Sequence, residues 1–232
     1  MKQDIILEFE EKTGYKFKKP DLLVTALTHS SYSNENRLKK YNCNERLEFL
    51  GDAVLELVSS EYIYDKNPDK PEGDLTRIRA SYVCEPTLAL CARELCLGSY
   101  IQLGRGEDLT GGRERDSILS DTLEATIGAV YLDGGFECAR QYIYKHILKD
   151  IEKKKLFYDS KTILQEIIQA EHKNLEYELL NEEGPDHNKS FTVSVNIDGV
   201  RLTTATGRTK KKAEQSAAYQ AILKLGVCKD GR

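Results

Sequence analysis

Two short stretches of this chain carry carboxylates at the spacing of one helix face. In Asn44-Glu45-Arg46-Leu47-Glu48-Phe49-Leu50-Gly51-Asp52, the acidic residues Glu45, Glu48 and Asp52 fall at i, i+3 and i+7, so a helix projects all three from one side. Leu47, Phe49, Leu50, Val54 and Leu55 surround them. These set much of that helix in protein interior, or leave Phe49, Leu50 and their apolar neighbours partly exposed, to be buried against a second subunit. Like charges stacked on a helix weaken it by about 0.2–0.5 kcal/mol per pair. Burial sharpens the conflict, because a desolvated carboxylate tends to take up a proton. A divalent cation removes it. Magnesium takes oxygen ligands and keeps several waters, so a few carboxylates and a substrate phosphate suffice. A second stretch, Ser117-Ile118-Leu119-Ser120-Asp121-Thr122-Leu123-Glu124-Ala125, places Asp121 and Glu124 at i and i+3. If the two helices pack together, Glu48, Asp52, Asp121 and Glu124 converge on one acidic site. Either helix taken alone also suits a solvated acidic face with no ligand.

The elements that must position these groups are helices. Apolar residues at helical spacing predict helices near 4–12, 21–29, 45–64, 72–83, 86–96, 116–132 and 136–152. Asn44 is a suitable N-cap for the longest, and Asn67-Pro68 stops it. Gly98, Gly104, Gly106 and Gly111-Gly112 mark residues 98–115 as a loop. The charged run Lys149-Asp150-Ile151-Glu152-Lys153-Lys154-Lys155 reads as a frayed helix end entering a linker, or equally as a solvated helix face. Beyond Asp159 the pattern changes. An amphipathic helix over 160–172 precedes β-like runs at 175–181, 190–197 and 200–206, and a helix over 209–225 closes the module. Phe191, Val193, Val195 and Ile197 alternate with polar residues, as in a half-buried strand, and Asp198-Gly199 is a hairpin turn. The expected organisation is two domains: an all-α domain over 1–152, a linker over 153–159, and an α+β module of order α-β-β-β-α over 160–228.

Composition excludes several other classes. Among 232 residues, 40% are hydrophobic and 31% charged, an ordinary globular balance. No run of about 18 apolar residues suggests a membrane span, and the first residues offer no apolar segment of the kind a secretory leader needs. The six cysteines form no CxxC pair and have no histidine cluster beside them, so reduced thiols in a cytoplasmic protein are expected and a structural zinc is not. The net charge of −4 argues weakly against a nucleic-acid partner, but an acidic centre that holds cations makes whole-chain charge a poor guide. None of the four histidines lies in the acidic stretches. His29 reads as a hydrogen-bonded core or dimer-contact residue rather than a catalyst.

The stretch from Asn44 to Asp52 closely resembles the signature of the ribonuclease III family, and Ser120-Asp121-Thr122-Leu123-Glu124-Ala125 is similar to that family's second acidic helix. Thr25–Ser30, Glu72–Arg79 and Tyr131–Gly135 resemble further family segments, in order along nearly the whole chain. The resemblance implies an endonuclease acting on double-stranded RNA. It implies metal-binding carboxylates at Glu48, Asp52, Asp121 and Glu124, with Asp52 and Glu124 the catalytic pair and Glu45 in a supporting role. Magnesium would be the cofactor, with manganese able to substitute. It also implies a homodimer that cuts each strand once, leaves 5′-phosphate and 3′-hydroxyl ends with a short 3′ overhang, and processes ribosomal RNA precursors and other structured transcripts.

Residues 160–226 resemble a double-stranded RNA-binding domain. Its first helix would turn Thr162, Gln165, Glu166 and Gln169 outward, where neutral donors and acceptors suit the RNA minor groove. His187, in the Gly184–Asn188 loop, matches a second groove contact. Lys210 and Lys211 open the last helix, where side-chain charge and backbone N–H groups can both meet phosphate. One departure stands out: Glu214 occupies a position where many such domains carry a lysine. Two other readings compete. A protein that binds structured RNA without cutting it would use the same fold, but all four metal carboxylates are present. A DNA-directed nuclease is opposed by the RNA-type module.

Overall fold

The computed structural model describes residues 3–38, 42–185 and 189–226. It divides into two compact units, Met1–Ile151 and Glu152–Arg232.

The first unit is helical. Its helices are α1 (Gln3–Thr13), α2 (Pro20–Ala26), α3 (Ser30–Glu35), α4 (Glu45–Lys66), α5 (Glu72–Tyr82), α6 (Glu85–Glu94), α7 (Arg105–Leu109), α8 (Asp116–Gly134) and α9 (Phe136–Ile143). At its centre lies α8, which packs on α4, α6, α9 and α2. Burial explains that position: Leu119, Leu123, Ala125, Ile127, Ala129 and Val130 are almost fully enclosed. A helix apolar on nearly every side must be surrounded by others. Phe9, Leu23, Leu27, Leu55, Ile63, Leu88 and Ile143 complete the core. Asp133, near the end of α8, fastens the chain that joins α1 to α2. It accepts hydrogen bonds from the Tyr15 hydroxyl at 2.8 Å and from the backbone N–H groups of Lys18 and Lys19 at 3.0 and 2.8 Å.

Several local expectations need correction. Asn44 precedes α4 but its side chain makes no capping bond. It is buried, and its backbone N–H donates to Thr28 O at 2.8 Å instead. The expected loop at 98–115 contains α7, which the flanking glycines conceal. The expected helix over 136–152 is interrupted. A π-helical turn spans Tyr144–Leu148, Asp150 takes a positive φ of 57°, and a new helix, α10, spans Ile151–Tyr158. Residues 153–158 of the expected linker are therefore helical.

The second unit contains α11 (Ser160–Ala170), a sheet of β1 (Leu175–Glu183), β2 (Ser190–Ile197) and β3 (Val200–Gly207), and α12 (Lys210–Leu225). The strands are antiparallel in the order β1-β2-β3. Asp198 and Gly199 both have positive φ, 50° and 77°, the left-handed pair that a tight two-residue hairpin requires. Leu164 and Ile168 of α11, Val195 of β2, and Ala217, Ala218, Ala221 and Ile222 of α12 form the core. The alanines on α12 let it lie close to the sheet and to α11.

Candidate functional site

Helices α4 and α8 share the most extensive helix-to-helix packing among the described residues, and it is unusually close. A Cβ on Gly51 would lie 1.8 Å from Glu124 O, and one on Gly128 would lie 2.2 Å from Leu47 O. Glycine is required at both positions. Glycine inside a helix costs about 1 kcal/mol relative to alanine, so two of them at one crossing signal a close approach.

The crossing brings the acidic stretches together. Ligand oxygens of Glu48, Asp121 and Glu124 all lie within 4.8 Å of one another, and all three residues are partly buried. Asp52, one turn beyond Glu48, is exposed and stands outside that set. Its charge still reaches the cluster. Burial, then Asp52, Asp121 and Glu48, push the Glu124 carboxyl up to about 8. Glu48 is raised by burial and by Asp121, Glu45 and Asp52. Asp121 is raised chiefly by burial and by Glu85, against the lowering effects of the Ser120 hydroxyl and His29. The helices thus hold carboxylates where each opposes ionisation of the next, a conflict that a bound cation relieves. Glu45 is exposed and contributes its charge to Glu48.

Two neighbours of the cluster are not placed there by the sequence reading, which passes over Glu85 and takes His29 only as a hydrogen-bonded core or dimer-contact residue. Glu85 opens α6, and His29 precedes α3; both lie far from the acidic stretches in sequence. His29 Nδ1 accepts the Ser31 N–H at 3.2 Å, which caps α3. No local pattern links either residue to Asp121.

In the second unit, α11 turns Thr162, Gln165, Glu166 and Gln169 to solvent and buries Leu164 and Ile168. Lys210 and Lys211 are exposed in the first turn of α12. Thr209 caps that helix by accepting the Lys212 N–H at 3.1 Å. His187 lies outside the described residues. The five described cysteines are free thiols, and among the described residues no helix is long and apolar enough to cross a membrane. On α4, Phe49 is 80% exposed and Leu57 and Tyr64 are also solvent-facing, several large apolar side chains left in water along one helix.

Comparison with known proteins agrees with this arrangement. The Ribonuclease-III-like family model matches residues 19–151, and the double-stranded RNA binding motif matches residues 160–225. Ribonuclease 3 of Caldanaerobacter subterraneus is 50% identical over 224 residues, covering 95% of this chain and 98% of that protein. Ribonuclease 3 of Bacillus cereus is 48% identical over 220 residues, covering 94% and 90%. The nuclease domain of the Campylobacter jejuni enzyme superposes with a TM-score of 0.58 at 46% identity, over 62% of this chain and 96% of that one. With both domain models matched in order and relatives half identical along almost their full lengths, this chain belongs to the ribonuclease III family, the metal-dependent endoribonucleases of double-stranded RNA.

Proposed function

We propose that this chain is a magnesium-dependent enzyme that cuts both strands of an RNA duplex as a homodimer, leaving 5′-phosphate and 3′-hydroxyl ends with a short 3′ overhang. The observation that carries this reading is the convergence of Glu48, Asp121 and Glu124 within 4.8 Å. Every donor in that cluster is a carboxylate oxygen, and neither thiol nor imidazole takes part, which suits magnesium or manganese better than zinc.

In this reading Glu48, Asp52, Asp121 and Glu124 hold the metal, with Asp52 and Glu124 nearest the chemistry. Bound magnesium would make a water nucleophilic near neutral pH and offset charge on the phosphate and the departing oxygen. The protein's part is to keep the carboxylates converged, which the packing of α4 against α8 does without any flexible loop. Residues 1–152 form the nuclease domain, 153–159 a largely helical linker whose Leu156 and Phe157 pack on the second unit, and 160–228 the RNA-binding domain. Thr162, Gln165 and Gln169 of α11, His187, and Lys210 and Lys211 of α12 meet the duplex, the neutral groups in the minor groove and the lysines on phosphate.

The dimer is supported by the exposure of Phe49, Leu57 and Tyr64 on α4 and by the Campylobacter jejuni nuclease domain, which is described as having a region involved in dimer formation. Membership of the family supports a cytoplasmic setting, with ribosomal RNA precursors and other structured transcripts as substrates, as part of this reading. The test is incubation of a long RNA duplex and a matched DNA duplex with the purified protein, in magnesium and then in EDTA. Magnesium-dependent cutting of RNA alone is expected. Preferential DNA cleavage, or RNA binding without cutting by the folded dimer, would overturn the reading.

A further inference from the structure

Glu214 lies four residues after Lys210 and three after Lys211 on α12. That is the spacing at which a glutamate pairs with lysines of its own helix. It does not do so here. Its carboxylate instead accepts from Lys161 Nζ of α11 at 2.5 Å, and its side chain is only 15% exposed. The Lys161 ammonium also lies 4.8 Å from the centre of the Tyr177 ring on β1, a second attraction that holds it in place. The surroundings are equally fixed. Ser160 Oγ donates to Gln215 O at 2.8 Å, Gln215 Nε2 donates to Phe157 O at 3.3 Å, and the Phe157 and Tyr219 rings meet edge to face at 5.2 Å. Among the described residues, no ion pair involves Lys210 or Lys211, and both are exposed.

We propose that Lys161 is a positioning residue for RNA binding: it acts as the dedicated counter-ion of Glu214 and so leaves Lys210 and Lys211 unpaired for the phosphates of the duplex. The inference rests on the proposed role of those two lysines. A carboxylate one turn from both would otherwise compete with RNA phosphate for them. Lys161 removes that competitor by drawing it toward α11 and the sheet, while Tyr177 keeps Lys161 itself from swinging out to solvent. The same pair ties the helix carrying Thr162 and Gln165 to the one carrying Lys210 and Lys211. The consequence is that Lys161 governs affinity without touching RNA.

The experiment measures duplex RNA binding by the full chain in EDTA across a range of salt, for the parent, Lys161→Met, Glu214→Gln and the double variant. Lys161→Met is expected to weaken binding by up to about fivefold, as the released carboxylate pairs with an α12 lysine. It is also expected to flatten the salt dependence by up to about one phosphate contact. Glu214→Gln should leave binding as tight as in the parent or tighter. The double variant should return both affinity and salt slope to parent values. A loss that persists in the double variant would make Lys161 a direct RNA contact or a purely structural residue and overturn the proposal, as would unchanged binding in Lys161→Met. If Lys161→Met fails to fold, Glu214→Gln decides alone, and weakened binding there would also overturn it. Failure of the underlying reading is distinguishable: Lys210→Ala with Lys211→Ala would then leave the salt slope unchanged.

Discussion

Gly51 and Gly128 face each other where α4 and α8 cross, and a Cβ on Gly128 would lie 3.2 Å from Gly51 N as well as 2.2 Å from Leu47 O. Both contacts are with backbone, which cannot rotate aside as a side chain can. The crossing also sets the separation of Glu48 from Asp121 and Glu124, so packing and chemistry depend on the same pair of glycines. Gly128→Ala is expected to destabilise the nuclease unit by about 3 kcal/mol, lowering its Tm by roughly 6–12 °C. Cleavage should fall more than RNA binding does. A variant with parent-like Tm and activity would show that the helices part without cost.

Glu124 is the most strongly perturbed carboxylate of the cluster, because burial and four acidic neighbours, Asp52, Asp121, Glu48 and Glu56, act on it together. Glu124→Ala is expected to abolish cleavage in magnesium while duplex binding stays measurable, since Thr162, Gln165, Lys210 and Lys211 lie on a separately folded unit. Gel-based cleavage and mobility-shift assays on the same preparation would read both. Loss of binding together with cleavage would contradict this division of labour.

The acidic site was legible in the sequence because helical spacing is local: Glu48 and Asp52 declare a face, as do Asp121 and Glu124. The hairpin at Asp198-Gly199 was legible for the same reason, its turn chemistry residing in two adjacent residues. Which carboxylates sit closest was not. Asp52 and Glu48 share a face in sequence, yet Asp52 is exposed and Glu48 is gathered against α8, a difference fixed by the angle at which two distant helices meet. The charged run after Lys149 left a frayed helix end and a solvated helix face equally open because its apolar positions are sparse; α10 takes up most of it, with Ile151 buried in the nuclease core and Leu156 packed on the core of the second unit. Short α7 was hidden by the glycines around it. Lys161 and Glu214 are 53 residues apart, beyond the reach of any local pattern.

Asp133 offers a test of stability against pH that is separate from the acidic cluster. Burial raises its carboxyl, but the Lys18 N–H, the Tyr15 hydroxyl and the Lys19 N–H outweigh that and hold it below the usual value of 3.8. A carboxyl lowered on folding contributes stability that is fully present above its unfolded value and is lost as pH falls through the folded one. Asp133→Asn is therefore expected to cost about 2 kcal/mol near neutral pH, with the gap from the parent closing below about pH 4. Denaturant melts at pH 7 and pH 3 measure it. A gap that stays constant with pH would assign the loss to shape rather than charge.

Phe49 lies next to Glu48 but turns away from the cluster, and at 80% exposure it leaves most of an aromatic ring in water. Leu57 and Tyr64 on the same helix are exposed too. A single exposed aromatic is ordinary; several along one helix mark a surface that another molecule covers. If that molecule is a second copy, a charge at Phe49 should split the dimer, because a buried unpaired carboxylate is costly. Phe49→Glu is expected to sediment as a monomer at micromolar concentration while retaining helical content by circular dichroism. It should still bind duplex RNA, but less tightly, because the avidity of two RNA-binding domains is lost. A dimer of unchanged strength in Phe49→Glu would place the contact between copies elsewhere on the nuclease unit.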